Sequence, residues 1–279
     1  MVKYDLLPRQ LIHEGIFEET DFFEPDFPDE EIILAVHDRA YFQKLKTLQL
    51  DKSEVRSIGF PLSQDLIDRE LRIAQGTILG SEIALEKGVA FNIAGGTHHA
   101  FRHRGEAFCL LNDQAIAACY LLSKKLAKRI LIIDLDVHQG NGTAQIFQAN
   151  PQVFTFSMHG EKNYPFRKSR SNWDISLPDG TRDNDYLNCL KIALDKLLTL
   201  HNPDFIYYLS GVDVLETDKL GRLALSMDGC RQRDEMVFSL CEKYQIPVQC
   251  SMGGGYAPDI KQILEAHTNT YKVVRQIFF

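Results

Sequence analysis

Asp136-Val-His138 puts a carboxylate and an imidazole two positions apart. On an extended backbone that spacing aims both side chains to the same side, and such a pair is a common beginning of a zinc site. Asp213, at the end of Leu209-Ser-Gly-Val-Asp213, is the candidate third ligand, which would leave positions open for water and substrate as a catalytic zinc requires. An isolated Asp-x-His is more often a hydrogen-bonded surface turn, but here other reactive residues accompany it. His98 and His99 are adjacent and follow Gly95-Gly96, which permit a sharp turn; two imidazoles beside a metal suit general base and general acid roles in the attack of water on a carbonyl. Asp134 and Asn141 are candidate partners for orienting those imidazoles and fixing their tautomers. Tyr256 follows Gly253-Gly254-Gly255, so its phenol could reach over a substrate carbonyl and donate to the developing oxyanion. That loop matches neither G-x-x-x-x-G-K-[ST] nor a G-x-G-x-x-G opening a helix, which argues against a phosphate cradle.

These residues share a place in the chain. Short apolar runs at Val89–Ile93, Arg129–Asp134, Val153–Ser157, Asp204–Ser210 and Pro247–Ser251 read as buried parallel strands, several without alternation. Between them, Asp68–Lys87, Asp113–Lys128, Asp185–Leu200 and Asp228–Tyr244 carry apolar residues at spacings of three and four, the pattern of helices that cover a sheet. All four begin at an Asp, a favourable helix start. The fold class is therefore α/β, one domain over residues 1–279 with a mostly parallel central sheet flanked by helices. The histidine pair, Asp134 to His138, Asp213 and Tyr256 each follow a candidate strand directly, and the carboxyl ends of parallel strands converge on one crevice. Gly160–Arg182 mixes Pro, Gly, Ser, Asn and charges and reads as a long irregular connection near one end of the sheet.

Composition bounds the rest. With 44% hydrophobic and 25% charged residues in 279, the chain has ample material for a core, which excludes a disordered protein. The net charge of −7 comes without a long acidic or basic run, and the cluster Lys124, Lys125, Lys128 and Arg129 reads as a solvated helix end, so no direct nucleic-acid partner is expected. Cys109, Cys119, Cys189, Cys230, Cys241 and Cys250 contain no C-x-x-C pair, as expected of reduced thiols in a cytoplasmic protein. Neither a secretory h-region nor a membrane span is apparent.

Five segments in order, Gly95-Gly-Thr-His-His-Ala100, Phe108-Cys-Leu-Leu-Asn-Asp113, Asp134-Leu-Asp-Val-His-Gln-Gly-Asn-Gly142, Gly211-Val-Asp213 and Gly253-Gly-Gly-Tyr256, carry a resemblance to the zinc-dependent histone deacetylase family, most closely to its class IV and related bacterial members. The resemblance runs over nearly the whole chain and implies an arginase/deacetylase-like fold. It implies that Asp136, His138 and Asp213 bind zinc, that His98 and His99 handle protons, that Tyr256 polarises the amide carbonyl, and that Phe108, with Gly254 beside Tyr256, borders a narrow acyl-lysine tunnel. It also implies a potassium ion behind the zinc, held by oxygens of Asp134, Asp136, His138, Ser157 and Met158, and a second monovalent site near Phe147, Asn150 and Val153. The expected reaction is hydrolysis of an acyl-amide, removing acetyl or longer acyl groups from lysine in a protein or peptide.

Two positions depart from the commoner family pattern. Gln139 and Asn141 stand where many members carry His and Asp, a pair that the resemblance associates with class IV; a neutral Asn orients His99 without strongly raising its pKa. Family members also carry a strand and an Arg-bearing loop ahead of the segment that Met1–Pro8 resembles, so a chain extended upstream is expected to be more stable. Three alternatives stand beside this reading: a deacylase of acetylpolyamines or other small acylated amines, a two-manganese ureohydrolase of the same fold, and a non-catalytic acyl-binding module. The second wants a carboxylate two beyond His138, where this chain has Gly140. The third predicts a damaged site, whereas every expected ligand and proton-handling residue is present.

Overall fold

A computed structural model describes residues 2–279, and among them six strands form one sheet. β1 (Val89–Asn92), β2 (Ile130–Asp134), β3 (Val153–Gly160), β4 (Trp173–Leu177), β5 (Phe205–Leu209) and β6 (Val248–Ser251) lie in the order β1-β6-β5-β2-β3-β4. Every neighbouring pair is parallel, which is the expected α/β architecture. Five strands coincide with the apolar runs to within three residues at either end. β4 corrects the reading of 160–182 as wholly irregular: it pairs with β3 at the sheet's edge, and its residues are mostly half-exposed, so it lacks the solid apolar signature of an interior strand.

Helices α1 (Lys3–His13), α2 (Glu30–Leu34), α3 (Arg39–Lys46), α4 (Lys52–Ile58) and α5 (Gln64–Lys87) precede β1. They are followed by α6 (Asp113–Ser123), α7 (Asn141–Phe147), α8 (Asp183–His201), α9 (Met227–Lys243) and α10 (Ile260–Phe278). β2 shows why its sequence is apolar on both faces. Ile130 and Ile132 pack into the cluster under α5 and α6 with Ile78, Ile116 and Leu121, while Leu131 and Ile133 pack under α8 and α9 with Leu190, Leu194, Val237 and Phe238. Truncating one of these side chains to alanine costs about 2–5 kcal/mol.

The helix starts refine the expectation that Asp residues begin them. Ser63, Asn112 and Ser226 are the caps of α5, α6 and α9, their side-chain oxygens accepting from the N–H groups of Leu66, Ala115 and Gly229, while Asp65, Asp113 and Asp228 lie in the first turn. α6 stops at Ser123 rather than Lys128, because Lys125 takes a left-handed conformation (φ 58°) and Leu126 N–H returns to the Leu121 carbonyl.

Topology then locates the chemistry. From β2 the chain moves outward through β3 and β4, then returns to place β5 on the other side of β2. The reversal of strand order at β2 and β5 opens a crevice beyond their carboxyl ends.

Candidate metal centre and active site

Beyond β2 the backbone leaves the strand at Asp134, so Asp136 and His138 sit on a bent loop and not on the extended segment their spacing suggests. They nevertheless converge, because the loop folds on its own carboxylates. Asp136 N–H donates to Asp134 Oδ1 at 3.2 Å and His138 N–H to Asp136 Oδ1 at 3.0 Å. Asp213, beyond β5, accepts from Val137 N–H at 3.0 Å. The ligand atoms of Asp136, His138 and Asp213 all lie within 4.8 Å of one another, and His138 Nδ1 is 3.1 Å from Asp136 Oδ1 and 3.2 Å from Asp213 Oδ2.

Two carboxylate oxygens and one imidazole nitrogen are a fitting donor set for zinc. Glycines make room for it: a Cβ at Gly254 would collide with the carboxylates of Asp213 and Asp136, and one at Gly211 with Asp136. Gly254 N–H donates to Asp136 Oδ2 at 2.9 Å, so this residue, expected to border the substrate, also steadies a ligand. At Gly140 a Cβ would meet Asp134 and His98, which leaves no room for the carboxylate a second metal would need.

The histidine pair is held from behind. Asp113, in the first turn of α6, accepts from Gly96 N–H at 3.1 Å, Thr97 N–H at 2.8 Å and Thr97 Oγ1 at 2.7 Å, while Gly96 takes φ 101°, a conformation that favours glycine. His98 Nδ1 lies 2.7 Å from Asp134 Oδ2, and His99 Nδ1 lies 2.7 Å from Asn141 Oδ1. The two rings, 4.1 Å apart between centroids, are pushed in opposite directions. Burial works against the charge on His98, but the charge and hydrogen bond of Asp134 outweigh it and raise the pKa. Burial, then the nearby His98 and His138, hold His99 well below the usual histidine range, with neutral Asn141 offering only a hydrogen bond in return. His138 lies between the carboxylates of Asp136 and Asp213: burial opposes a charge on its imidazole, yet hydrogen bonds to those two carboxylates push its pKa up to about 10.

Tyr256 borders the same cavity, of about 520 Å³, with His98, His99, Phe108, Asp136, His138 and Asp213. Burial first, then the charges of Asp213 and Asp136, push its phenol pKa upward and keep it a hydrogen-bond donor. Phe108 is 40% exposed, its ring 5.1 Å from Phe60 and 6.3 Å from Tyr256, so it is a wall of the cavity. Asp134 and Ser157 are register partners on β2 and β3, with Met158 next along β3; Ser157 Oγ is 2.9 Å from His159 Nδ1. Near the second expected cation site, the carbonyls of Phe147 and Asn150 accept turn hydrogen bonds from Asn150 and Val153.

Four residues beyond the expected ligands and proton carriers also shape the site. Tyr164 presents its ring edge-on to His99, 5.1 Å away, and hydrogen-bonds Glu106. Gln139 donates to Asp174 Oδ1 at 2.7 Å and accepts from Ser169 N–H at 2.8 Å, pinning the 160–182 segment to the metal loop. Arg233, fully buried and 2.7 Å from Asp234, donates to the Gly211 and Ser210 carbonyls and so braces the end of β5. Lys3, on α1, donates to the Gly253 carbonyl at 3.1 Å. Only Gln139 had a readable signal, through its place in the Asp134–Gly142 segment; the others depend on distant packing. A larger groove of about 850 Å³ along β1, with Phe17, Phe22, Phe91 and Tyr271 in its walls, holds none of the candidate ligands or proton carriers.

Comparison with known proteins agrees with this arrangement. The family model described as histone deacetylase domain matches residues 1–271. An uncharacterized protein of Picosynechococcus is 42% identical over 278 residues, covering 100% of this chain and 93% of its own. Histone deacetylase 2 of Arabidopsis thaliana is 31% identical over 271 residues, covering 94% of this chain and 70% of its own. The crystal structure of a histone deacetylase homologue from Aquifex aeolicus superposes with a TM-score of 0.81 at 27% identity, covering 95% of this chain and 76% of that one. With strand order, strand-end chemistry and sequence in agreement, this chain belongs to the histone deacetylase family, as a hydrolase of the deacetylase type.

Proposed function

We propose that this protein is a zinc-dependent deacylase that hydrolyses the amide of an acylated lysine side chain in a protein or peptide. The observation that carries the reading is the meeting of one nitrogen and two carboxylate donors with two oppositely tuned imidazoles and a phenol around a single cavity. Zinc held by Asp136, His138 and Asp213 would supply Lewis acidity, lowering the pKa of water and polarising the amide carbonyl. His99, kept neutral, takes the proton of the attacking water, and His98, holding its proton against Asp134, assists the charge that develops and protonates the departing amine. Tyr256 donates to the carbonyl oxygen as it becomes an oxyanion. Phe108 and Tyr164 flank the lysine's aliphatic stem, and Gly254 keeps the floor low enough for the carbonyl to enter.

A monovalent cation at Asp134, Ser157 and Met158, the class IV affiliation, action of residues 1–279 as one catalytic domain and a cytoplasmic location belong to the same proposal. Gln139 and Asn141 support the class IV affiliation, and six free thiols suit a reducing compartment. No helix among the described residues is long and apolar enough to cross a membrane.

The test is turnover of acetyl-, medium-chain and long-chain acyl-lysine peptides by the zinc-loaded protein and by Tyr256→Phe. Loss of one oxyanion donor is expected to lower kcat by about 10²–10³ with zinc binding retained. An unchanged rate in Tyr256→Phe, or no turnover of any acyl-lysine peptide by the zinc-loaded protein, would overturn the reading.

A further inference from the structure

Residues 161–170, Glu-Lys-Asn-Tyr-Pro-Phe-Arg-Lys-Ser-Arg, contain four cations and one anion in a chain whose net charge is −7. Lys168 is spent internally, its ammonium donating to the Asn163 and Pro165 carbonyls. Lys162, Arg167 and Arg170 point to solvent, and Phe166 between them is 88% exposed.

The rim of the catalytic cavity repeats this bias. Its lining includes Arg56, Arg69, Lys162 and Arg222, while the only carboxylates among its described lining residues are those of the candidate metal ligands Asp136 and Asp213. Arg69 is paired with Glu70 at 2.9 Å. Lys162 and Arg222 share a single carboxylate, Asp179, at 3.8 and 3.2 Å, and both stay more than half exposed. Arg56, on the last turn of α4 and in the cavity lining, forms no ion pair with the described residues, and neither does exposed Arg167, which follows the lining residue Phe166 in the chain. Gln139 ties the 160–182 backbone to the metal loop through Ser169, and Asn163 ties it to the segment carrying Arg222 through the Leu220 carbonyl, so the backbone that bears Lys162 and Arg222 is anchored.

From this we infer that the enzyme selects acyl-lysines in an acidic sequence context, with carboxylates on the residues flanking the lysine met by Arg56, Lys162 and Arg222 and an apolar neighbour resting on Phe166. The inference rests on the deacylase reading and names its substrate class. The same field disfavours acylated polyamines, whose remaining ammonium groups would enter a cationic mouth. Exposed charges act here through steering and partner choice, so the preference weakens with salt.

The experiment compares three peptides with the same central acyl-lysine and the same residues adjoining it, flanked further out by Asp/Glu, Ser/Gly or Lys/Arg, and an acetylated polyamine. Both kcat/KM and fluorescence-anisotropy binding are read on the zinc-loaded protein. The expected order is acidic, neutral, basic, with an acidic-to-basic ratio of about tenfold at low salt that contracts severalfold at 0.5 M NaCl. In Arg56→Glu/Lys162→Glu/Arg222→Glu, checked for folding by its melting curve, the ratio should invert. Because the ratio is the readout, a variant that is merely slower does not imitate the result. Equal use of the three peptides, preference for the basic peptide or the polyamine, or an unchanged ratio in the triple variant would each overturn the inference while leaving the deacylase reading intact. If no peptide is turned over, the deacylase reading fails, and the binding ratio still decides the rim: a tenfold acidic preference supports it and parity overturns it.

Discussion

The two ends of the central sheet are built on opposite principles. At the amino ends, Val89, Ile130, Val153, Phe205 and Val248 are buried apolar residues that meet other apolar residues. At the carboxyl ends and just beyond, Asp134, Asp136, Ser157, Ser210, Asp213 and Ser251 are equally buried but polar or charged. Burying a carboxylate is costly unless it is paired and hydrogen-bonded, and here each active-site carboxylate has partners: backbone N–H groups on Asp136 and Asp213, His98 on Asp134. One end is stable through packing; the other is kept reactive by its neighbours. A substitution at the amino end should therefore change stability and leave chemistry alone, and one at the carboxyl end should do the reverse.

The largest effect is expected at the carboxyl end. Asp213→Ala removes a ligand and should lower kcat/KM by more than about 10³, with the rise in Tm on adding zinc largely abolished. A variant that kept both activity and the zinc-induced rise would remove Asp213 from the ligand set. At the opposite end, Phe205→Ala should cost about 3–5 kcal/mol of stability in urea titration while KM of the folded fraction is unchanged. A large rise in KM there would mean that the two ends are mechanically coupled.

Glu70 is a smaller test of the same cost, made away from the reacting groups. It is 1% exposed; one carboxylate oxygen meets Arg69 and the other has no hydrogen-bond partner among the described residues. Burial, against the opposing charge of Arg69, raises its pKa from 4.5 to about 7. A carboxyl raised on folding makes the native state bind more protons than the unfolded state between those values, so stability falls as pH rises from about 4.5 to 7. Glu70→Gln should then raise stability at pH 8 by on the order of 2 kcal/mol and leave it nearly unchanged at pH 4.5. A gain that is equal at both pH values would contradict the ionic origin.

The subtlest prediction concerns Asn141. Asn141→Asp sets a negative charge against His99, raises its pKa and should move the acidic limb of the kcat/KM profile to higher pH by about one unit. An unmoved limb would exclude His99 as the group whose deprotonation controls that limb.

Much of this organisation was legible in one dimension. Parallel strands buried on both faces write themselves as solid apolar runs, and the reactive residues follow those runs because strand ends are where such a sheet can expose chemistry. β4 was illegible because an edge strand, half in water, has no such signature. α10 carries a strongly amphipathic pattern, yet its existence as a wall of the core became plain only once it packed on α9 and α1. Tyr164 and the cationic rim were illegible for another reason: Tyr164 and Lys162 come from a stretch whose composition reads as loop, the rim's other cations are scattered along the chain, and partners lie far away in sequence, Glu106 for Tyr164 and Asp179 for Arg222.

By itself, the sequence determined the α/β class, the order of the motifs and the identity of the chemical groups, because residue type and local period do not depend on distant contacts. Tertiary structure alone decided how those groups behave. It placed β5 against β2 so that Asp213 meets Asp136 and His138. It gave adjacent His98 and His99 opposite proton affinities, by setting a carboxylate behind one and an amide behind the other. Electrostatic fields and desolvation are sums over everything nearby in space, and a linear chain does not state what will be near.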